Sequence, residues 1–233
     1  MPDGIGPGPV PEITVVTTVW GAYGRFLGEW AASVAGQTVP PSAVVIAELG
    51  GCAAEAEQAA TLIRSRGTAA TVVSEPFNGM GQARNTAVAA SATDWVMHLD
   101  ADDLLLPGAL ELVAPLTDRA DVVSLATRYP SGRVRSFSRV SARTILSGRV
   151  GCFSCSPFRR SFWERSPYQT LAGPLDYVDA LLWVGFARLG ARFVGTTEPG
   201  FTYRQHAGSF RRTLTPEKLA AARRHILRVS RLP

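Results

Sequence analysis

Short β-branched runs alternate with helix-patterned segments through the first half of the chain, and this alternation narrows the fold more than any other feature. The runs at 13–18, 43–47, 70–74 and 95–99 are strand-like. Between them, Phe26, Trp30 and Val34 recur at helical spacing up to Gly36, and further helices are expected over 53–66, 81–90 and 107–116. Pro107 suits the first position of the last of these. Strands that are apolar throughout are buried on both faces, and a strand–helix–strand order joins them in parallel. The expectation is an α/β fold with a mostly parallel central sheet flanked by helices. The second half is less regular, with strands expected at 121–126, 133–137, 150–156 and 192–196 and helices at 181–189 and 216–229.

No repeat or linker divides the chain, and 233 residues suffice for one core. Residues 1–11, rich in Gly and Pro, are expected to form a flexible lead-in, without the apolar centre of a signal peptide. Residues 12–233 form the single domain. A hydrophobic fraction of 46% with 18% charged residues is ordinary for a globular protein in water. No uncharged run reaches the roughly 18 apolar residues of a membrane span, so the default expectation is a cytoplasmic protein. Three cysteines give no disulfide framework. Cys152 and Cys155 form one C-x-x-C with no second pair, half of a tetrahedral zinc site at most, and free cysteine is commonly buried. The net charge of +5 gathers near the end, in Arg204, Arg211, Arg212, Lys218, Arg223, Arg224, Arg228 and Arg231. That tail reads as a solvated basic helix, with peripheral contact to a lipid surface left open.

The sharpest motif follows the apolar run Trp95 to Leu99: Asp100, Ala101, Asp102 and Asp103. Ligands of open α/β sheets bind at the carboxyl ends of the strands, where these acids fall. Residues i and i+2 of an extended segment share a side, so Asp100 and Asp102 can converge on one ligand. Close carboxylates repel, and a hard divalent cation relieves the repulsion. Asp103 also fits a helix-start residue. Upstream, Asn78, Gly79, Met80, Gly81, Gln82, Ala83, Arg84 and Asn85 place glycines, Gly79 among them, that let backbone approach a ligand. Arg84 offers a fork of donors suited to a diphosphate or a base edge.

Together these segments resemble the family 2 glycosyltransferases, which commonly read N-x-G-x-x-x-A-R-N-x-G, then a hydrophobic strand, then D-x-D-D. Gln37, Thr38 and Pro41 are similar to the Q-T-x-x-P that closes the first helix in that family. The resemblance runs from about Ile13 to Ser209. It implies the GT-A fold, a Rossmann-like nucleotide-diphospho-sugar transferase, with 12–118 as the nucleotide-sugar half and 119–233 as the acceptor half with the C-terminal helix. It further implies a Mn2+ or Mg2+ cofactor, a nucleoside diphosphate sugar donor with UDP-sugars favoured, and no nucleic-acid partner.

Residue by residue, the resemblance places Asp102 on the metal and Asp100 and Ala101 on the donor. Asp176 and Asp179 precede a helix and an A-R strand like the family's E-D segment. Counting back from Gly190 puts Asp179 on the catalytic base, with Asp176 the second choice if the register slips by a turn. Asp179 also fits a helix N-cap. Val178 stands where the family usually carries glutamate. The run Thr202 to Ser209 resembles Y-R-x-H-x-x-S, which implies His206 for the metal shell or the diphosphate and Arg204 and Ser209 close by. His98 reads as packed. The base site departs from the family: Thr17, Thr18, Val19 and Trp20 replace P-T-x-N, and Ala47 to Gly50 replace D-D-G-S. Thr17, Val19, Trp20 and Glu48 keep the corresponding donor positions; Glu48 can accept a hydrogen bond from a base N–H, and Trp20 can stack on a ring.

The resulting expectation is an inverting transfer from a nucleoside diphosphate sugar to an acceptor hydroxyl. Segments 127–147 and 153–168 would wall the acceptor, a small molecule or a lipid-linked one. A homodimer is left open. Two rivals remain at this stage. A haloacid-dehalogenase-like phosphatase also places D-x-D after a strand, although the lone lysine, Lys218, falls in the last helix. A catalytically silent nucleotide-binding module would explain the altered base site and Val178.

Overall fold

The structure is a computed structural model and describes residues 11–76, 78–148, 151–170, 178–209 and 215–230. The first half follows the expected alternation. β1 (Ile13–Val19) leads through a 3-10 turn (Gly21–Phe26) into α1 (Leu27–Ala35). β2 (Ala43–Glu48), α2 (Ala53–Ser65), β3 (Ala69–Ser74), α3 (Met80–Ala89) and β4 (Trp95–His98) follow. All seven residues of β1 are buried, because parallel strands β2 and β4 flank it and helices cover both faces. β3 pairs only with β2 and alternates between exposed and half-buried residues, as an edge strand does. The period-2 alternation of side chains splits the core in two. Val15 and Val19 join Trp30, Ile46, Ile63 and Met97 on one face of the sheet. Val16 joins Val45, Val96, Phe158, Trp183 and Phe186 on the other.

The second half adds β5 (Leu104–Leu105), α4 (Ala109–Val113), β6 (Val122–Arg128), β7 (Val134–Arg135), α5 (Ala142–Leu146), β8 (Phe158–Arg159), α6 (Arg160–Arg165), α7 (Val178–Arg188), β9 (Phe193–Thr202) and α8 (Pro216–Ser230). The sheet runs β3-β2-β1-β4-β8-β6-β9-β5, with β7 paired to β6. It is parallel through its first four strands, and β6 and β9 also run parallel. β8 and β5 join antiparallel to their neighbours. From β1 the chain proceeds first toward β2 and β3, then back to β4 on the opposite side. That reversal opens a crevice at the carboxyl ends of β1 and β4.

Several expectations are corrected. The strand at 150–156 is absent: residues 151–157 are irregular, although Cys152 and Cys155 are buried within them. Apolar composition there reflects burial of a loop, not a ladder. Burial also holds the Cys152 thiol protonated, its pKa pushed up to about 12. Pro107 does not open a helix. Gly108, at φ 79°, is the N-cap, and α4 gives way to a 3-10 turn at Ala114–Leu116. The 133–137 strand shrinks to Val134–Arg135, whereas β9 extends well past 196. No helix among the described residues is long and apolar enough to cross a membrane.

Candidate active site

The acids that follow β4 lie in a tight turn and not in extended backbone, closed by the Asp103 N–H donating to the Asp100 carbonyl at 2.9 Å. Each carboxylate therefore faces a different wall of the crevice. Asp100 turns toward α3 and the 151–157 loop, where Arg84 Nη2 donates to Oδ1 at 2.9 Å and Ser154 Oγ to Oδ2 at 2.8 Å. Burial opposes ionisation of Asp100, but Arg84 outweighs it with help from Ser154, and its pKa lies below the ordinary carboxylate value. His98 is fully buried beneath the turn, with Nδ1 3.5 Å from Asp100. Burial and the nearby Arg84 lower its pKa to about 3, so this contact is not an ion pair. His98 is a packed residue, as expected.

Asp102 turns the other way, with Oδ2 3.1 Å from His206 Nε2. Burial and the charge of Asp100 raise its pKa, and the His206 contact opposes the rise. Asp103 is buried and precedes β5, not a helix. Its Oδ1 accepts the Arg204 N–H at 3.0 Å. Burial and the two neighbouring acids push its pKa well up.

The segment 202–209 is fastened to this turn. Arg204 donates from Nε to the Asp102 carbonyl and pairs through Nη1 with Glu29 of α1. Its guanidinium lies 4.8 Å from the Phe26 ring. Ser209, buried, accepts the His206 N–H at 3.0 Å, and the Tyr23 hydroxyl donates to the Gly208 carbonyl at 2.7 Å. The His206 ring packs between Tyr23 (5.8 Å) and Phe26 (4.8 Å). Arg204 and Ser209 thus hold the His206 arm in place.

On the opposite wall, Arg84 is buried with its guanidinium 5.6 Å from the Tyr168 ring. It interacts electrostatically with both Asp100 and Asp179. Asp179 lies in the first turn of α7, a favoured place for an acid. Burial raises its pKa, and Arg84 restrains the rise. Asp176 lies outside the described residues.

Sequence reasoning missed Glu29 and the clamp made by Asn85, and it placed Ser154 and Tyr168 only within the 153–168 acceptor wall, without their contacts to Asp100 and Arg84. Asn85 Oδ1 accepts from Trp163 Nε1 (2.8 Å) and the Tyr168 N–H (3.0 Å), and its Nδ2 donates to the Tyr168 carbonyl at 2.9 Å. Gly81 admits the same segment: a Cβ there would stand 2.1 Å from the Gln169 carbonyl oxygen.

The base-site positions line the carboxyl ends of β1 and β2. Thr17 and Val19 are buried in β1, and the Thr17 hydroxyl has no hydrogen-bond partner. Trp20, half-buried, packs on Tyr23 at 5.0 Å. Glu48 Oε1 accepts from the Gly50 N–H at 2.8 Å and the Cys52 N–H at 3.0 Å. Gly50 and Gly51, both at positive φ, wrap the backbone around it, a local signal the sequence carries. Gly79, at φ 87°, starts α3, and Ala101 is buried in the acid turn.

Asp102 and His206 offer two adjacent ligand positions for a cation, although no group of three or more His, Cys, Asp or Glu side chains among the described residues could hold one. Two neighbouring ligands of one octahedral cation, each about 2.1 Å from it, stand roughly 3 Å apart, the separation found here. One carboxylate oxygen and one imidazole nitrogen suit Mn2+ better than Mg2+. Arg84 Nε, Arg204 Nη2 and His206 Nδ1 are buried without hydrogen-bond partners.

A switch-point crevice with an acid turn on its floor defines a nucleotide-binding α/β protein of the GT-A type. The pattern of Glycosyl transferase family 2 matches residues 14–187, well over half of the chain, and the chain belongs to that family. This removes the phosphatase rival. Comparison with curated proteins finds no match. Among solved structures, TarS 1–349 from S. aureus is similar at 18% identity and a TM-score of 0.71, over 92% of this chain and 64% of that one. The same fragment in complex with UDP-GlcNAc has a TM-score of 0.71. The mannosyltransferase PcManGT from Pyrobaculum calidifontis, in complex with GDP-Man and Mn2+, has 17% identity and a TM-score of 0.67, over 96% of this chain and 74% of that one. At these identities the likeness shows the fold. The chain spans about 64% of the length of TarS 1–349.

Proposed function

We propose that the chain is an inverting glycosyltransferase that moves a sugar from a nucleoside diphosphate donor to an acceptor hydroxyl, with residues 12–118 holding the donor. The observation that carries this reading is the Asp102–His206 pair, 3.1 Å apart at the carboxyl end of β4. Asp102 and His206 would hold a divalent cation, and the chemistry it would supply is positive charge that offsets the charge of the donor's diphosphate. Buried Arg84 keeps Asp100 ionised and adds a fixed positive charge beside the departing diphosphate. Asp100 orients the donor ribose, and Glu48 and Trp20 border the base.

Asp179 takes the proton of the acceptor hydroxyl as that oxygen attacks the anomeric carbon, and the nucleoside diphosphate leaves from the opposite face. Its raised pKa strengthens it as a base. The solved complexes with UDP-GlcNAc and with GDP-Man and Mn2+ support a sugar-nucleotide donor and a metal. UDP-sugars are the first to test.

Asp179→Asn should lower turnover by about 10²–10⁴-fold while leaving nucleotide binding intact, the usual worth of a positioned base. Donor consumption and calorimetric nucleotide binding check this together. Near-normal turnover by Asp179→Asn, with loss in Asp176→Asn, would move the base to Asp176. Loss in neither would end the assignment.

A further inference from the structure

Between residues 127 and 143 stand five arginines, Arg128, Arg133, Arg135, Arg139 and Arg143, and no Asp or Glu. Among the described residues none of the five is ion-paired, as is also true of Arg25, Arg66, Arg119 and Arg165 outside this segment. Arginines gathered without counter-charge raise the local potential and concentrate anions.

The β6–β7 hairpin sorts them by face. Thr127 opposes Arg135, and Arg128 opposes Val134. Alternation therefore puts Arg133 and Arg135 on one face and Arg128 on the other. The Arg133 guanidinium lies 4.5 Å from the Tyr129 ring. That of Arg135 lies 4.8 Å from Phe137 and 5.8 Å from Phe153. Stacking fixes the guanidinium plane and leaves its N–H edges for the oxygens of a phosphate.

This face adjoins the acid turn twice. Phe153 immediately precedes Ser154, which bonds Asp100. Tyr129 packs at 5.8 Å on Tyr203, the neighbour of Arg204. The face of Arg128 instead borders an open cleft of about 490 Å³ that Glu111 and Glu198 also line.

We propose that Arg133 and Arg135 bind a phosphate carried by the acceptor, so that the acceptor is a phosphorylated polyol or saccharide and not a neutral sugar. This rests on the glycosyltransferase reading and names the substrate class of that same site. The two guanidinium edges hold the phosphate oxygens and anchor the acceptor beside the acid turn.

Calorimetric titration decides it, with sn-glycerol 3-phosphate, glycerol, and vesicles of phosphatidylglycerol or phosphatidylcholine as probes. The proteins are the wild type, Arg133→Gln/Arg135→Gln, and Arg128→Gln as a control on the opposite face. UDP and GDP binding with Mn2+ is followed in each. The wild type should bind glycerol phosphate and not glycerol. The double variant should bind it at least about tenfold more weakly, and Arg128→Gln should stay within about twofold, with nucleotide binding unchanged throughout. Dependence on Arg133 and Arg135 upholds the proposal with either source: the soluble phosphate alone marks a free acceptor, and phosphatidylglycerol vesicles mark a lipid-linked one.

Any of four results overturns it: no binding by the wild type, full binding by the double variant, equal loss in Arg128→Gln, or tighter binding of a single-stranded oligonucleotide through the same arginines. Failure of the wild type to bind any nucleotide would count against the donor reading instead, and the phosphate comparison would still decide this one.

Discussion

Asn85 shows how much of the site rests on one side chain that touches no donor position. Its amide saturates the Trp163 indole N–H and both backbone groups of Tyr168, the residue whose ring faces Arg84. Asn85→Ala strands these groups, so we expect a loss of about 1–3 kcal/mol of stability, read by urea denaturation. Turnover should fall further than nucleotide affinity as Tyr168 loosens over Arg84. The closeness of Asp100 to Arg84 and of Asp102 to His206 was open to expectation because the acids and Arg84 stand in short motifs and His206 in a run that resembles the family's. Asn85 stood in the same motif as Arg84, yet its role was not legible, since its partners lie 78 and 83 positions away. The bond from Ser154 to Asp100 had no signal of its own, because a hydroxyl in an irregular loop carries no periodicity. Glu48 did have one, in the two glycines that follow it, and they describe a turn wrapped around a carboxylate before they describe a base site.

Among the elements, the pairing of β6 with β9 depends on a carboxylate at the residue before β6. Asp121 accepts from Arg192 N (2.8 Å), Nε (3.0 Å) and Nη2 (2.9 Å), and Arg159 Nε lies 3.3 Å away. Burial would raise its pKa, but the Arg192 bonds and then Arg159 more than offset this, and the folded value lies below the ordinary 3.8. A depressed folded pKa means the contribution is whole above the unfolded value and fades as pH falls through the folded one. Asp121→Asn should therefore cost about 1–3 kcal/mol near neutrality. The gap from wild type should narrow when unfolding is repeated at about pH 3. A gap that stays constant would remove the ion pair as its cause. Elements with a full period of pattern were legible, including β1, α2, α3 and β4. The two-residue strands β5 and β8 were not, because a pair of residues has no period. The α5 start was present as Ser141 and Thr144, which exchange capping bonds, but five helical residues behind it were too few to confirm a helix by spacing.

For the whole molecule, the strand order is what joins donor positions on β1 and β2 to the acid turn after β4 and to the segment that follows β9. A ligand that bridges them stabilises the fold as a unit. Saturation of Mn2+ with UDP or GDP at about a hundred times Kd should add about 2.7 kcal/mol, roughly 5–10 °C in Tm for a chain of this size. Asp102→Ala should abolish the part that depends on Mn2+, as differential scanning fluorimetry will show. The parallel first half was legible because strict alternation admits few topologies. The antiparallel additions around β8 and β5 were not, since they depend on contacts between distant short segments.

One consequence follows from the way Arg204 reaches the Asp102 carbonyl, Glu29 and Phe26 at once. The strip bearing His206 is tied to the acid turn by the protein's own contacts, so the entropy of ordering it is lost during folding. On the function proposed above, a cation would meet a seat that needs no ordering of this strip, and its capture would cost the shedding of water and the Asp102–His206 hydrogen bond. Such a seat should show little change in heat capacity on filling.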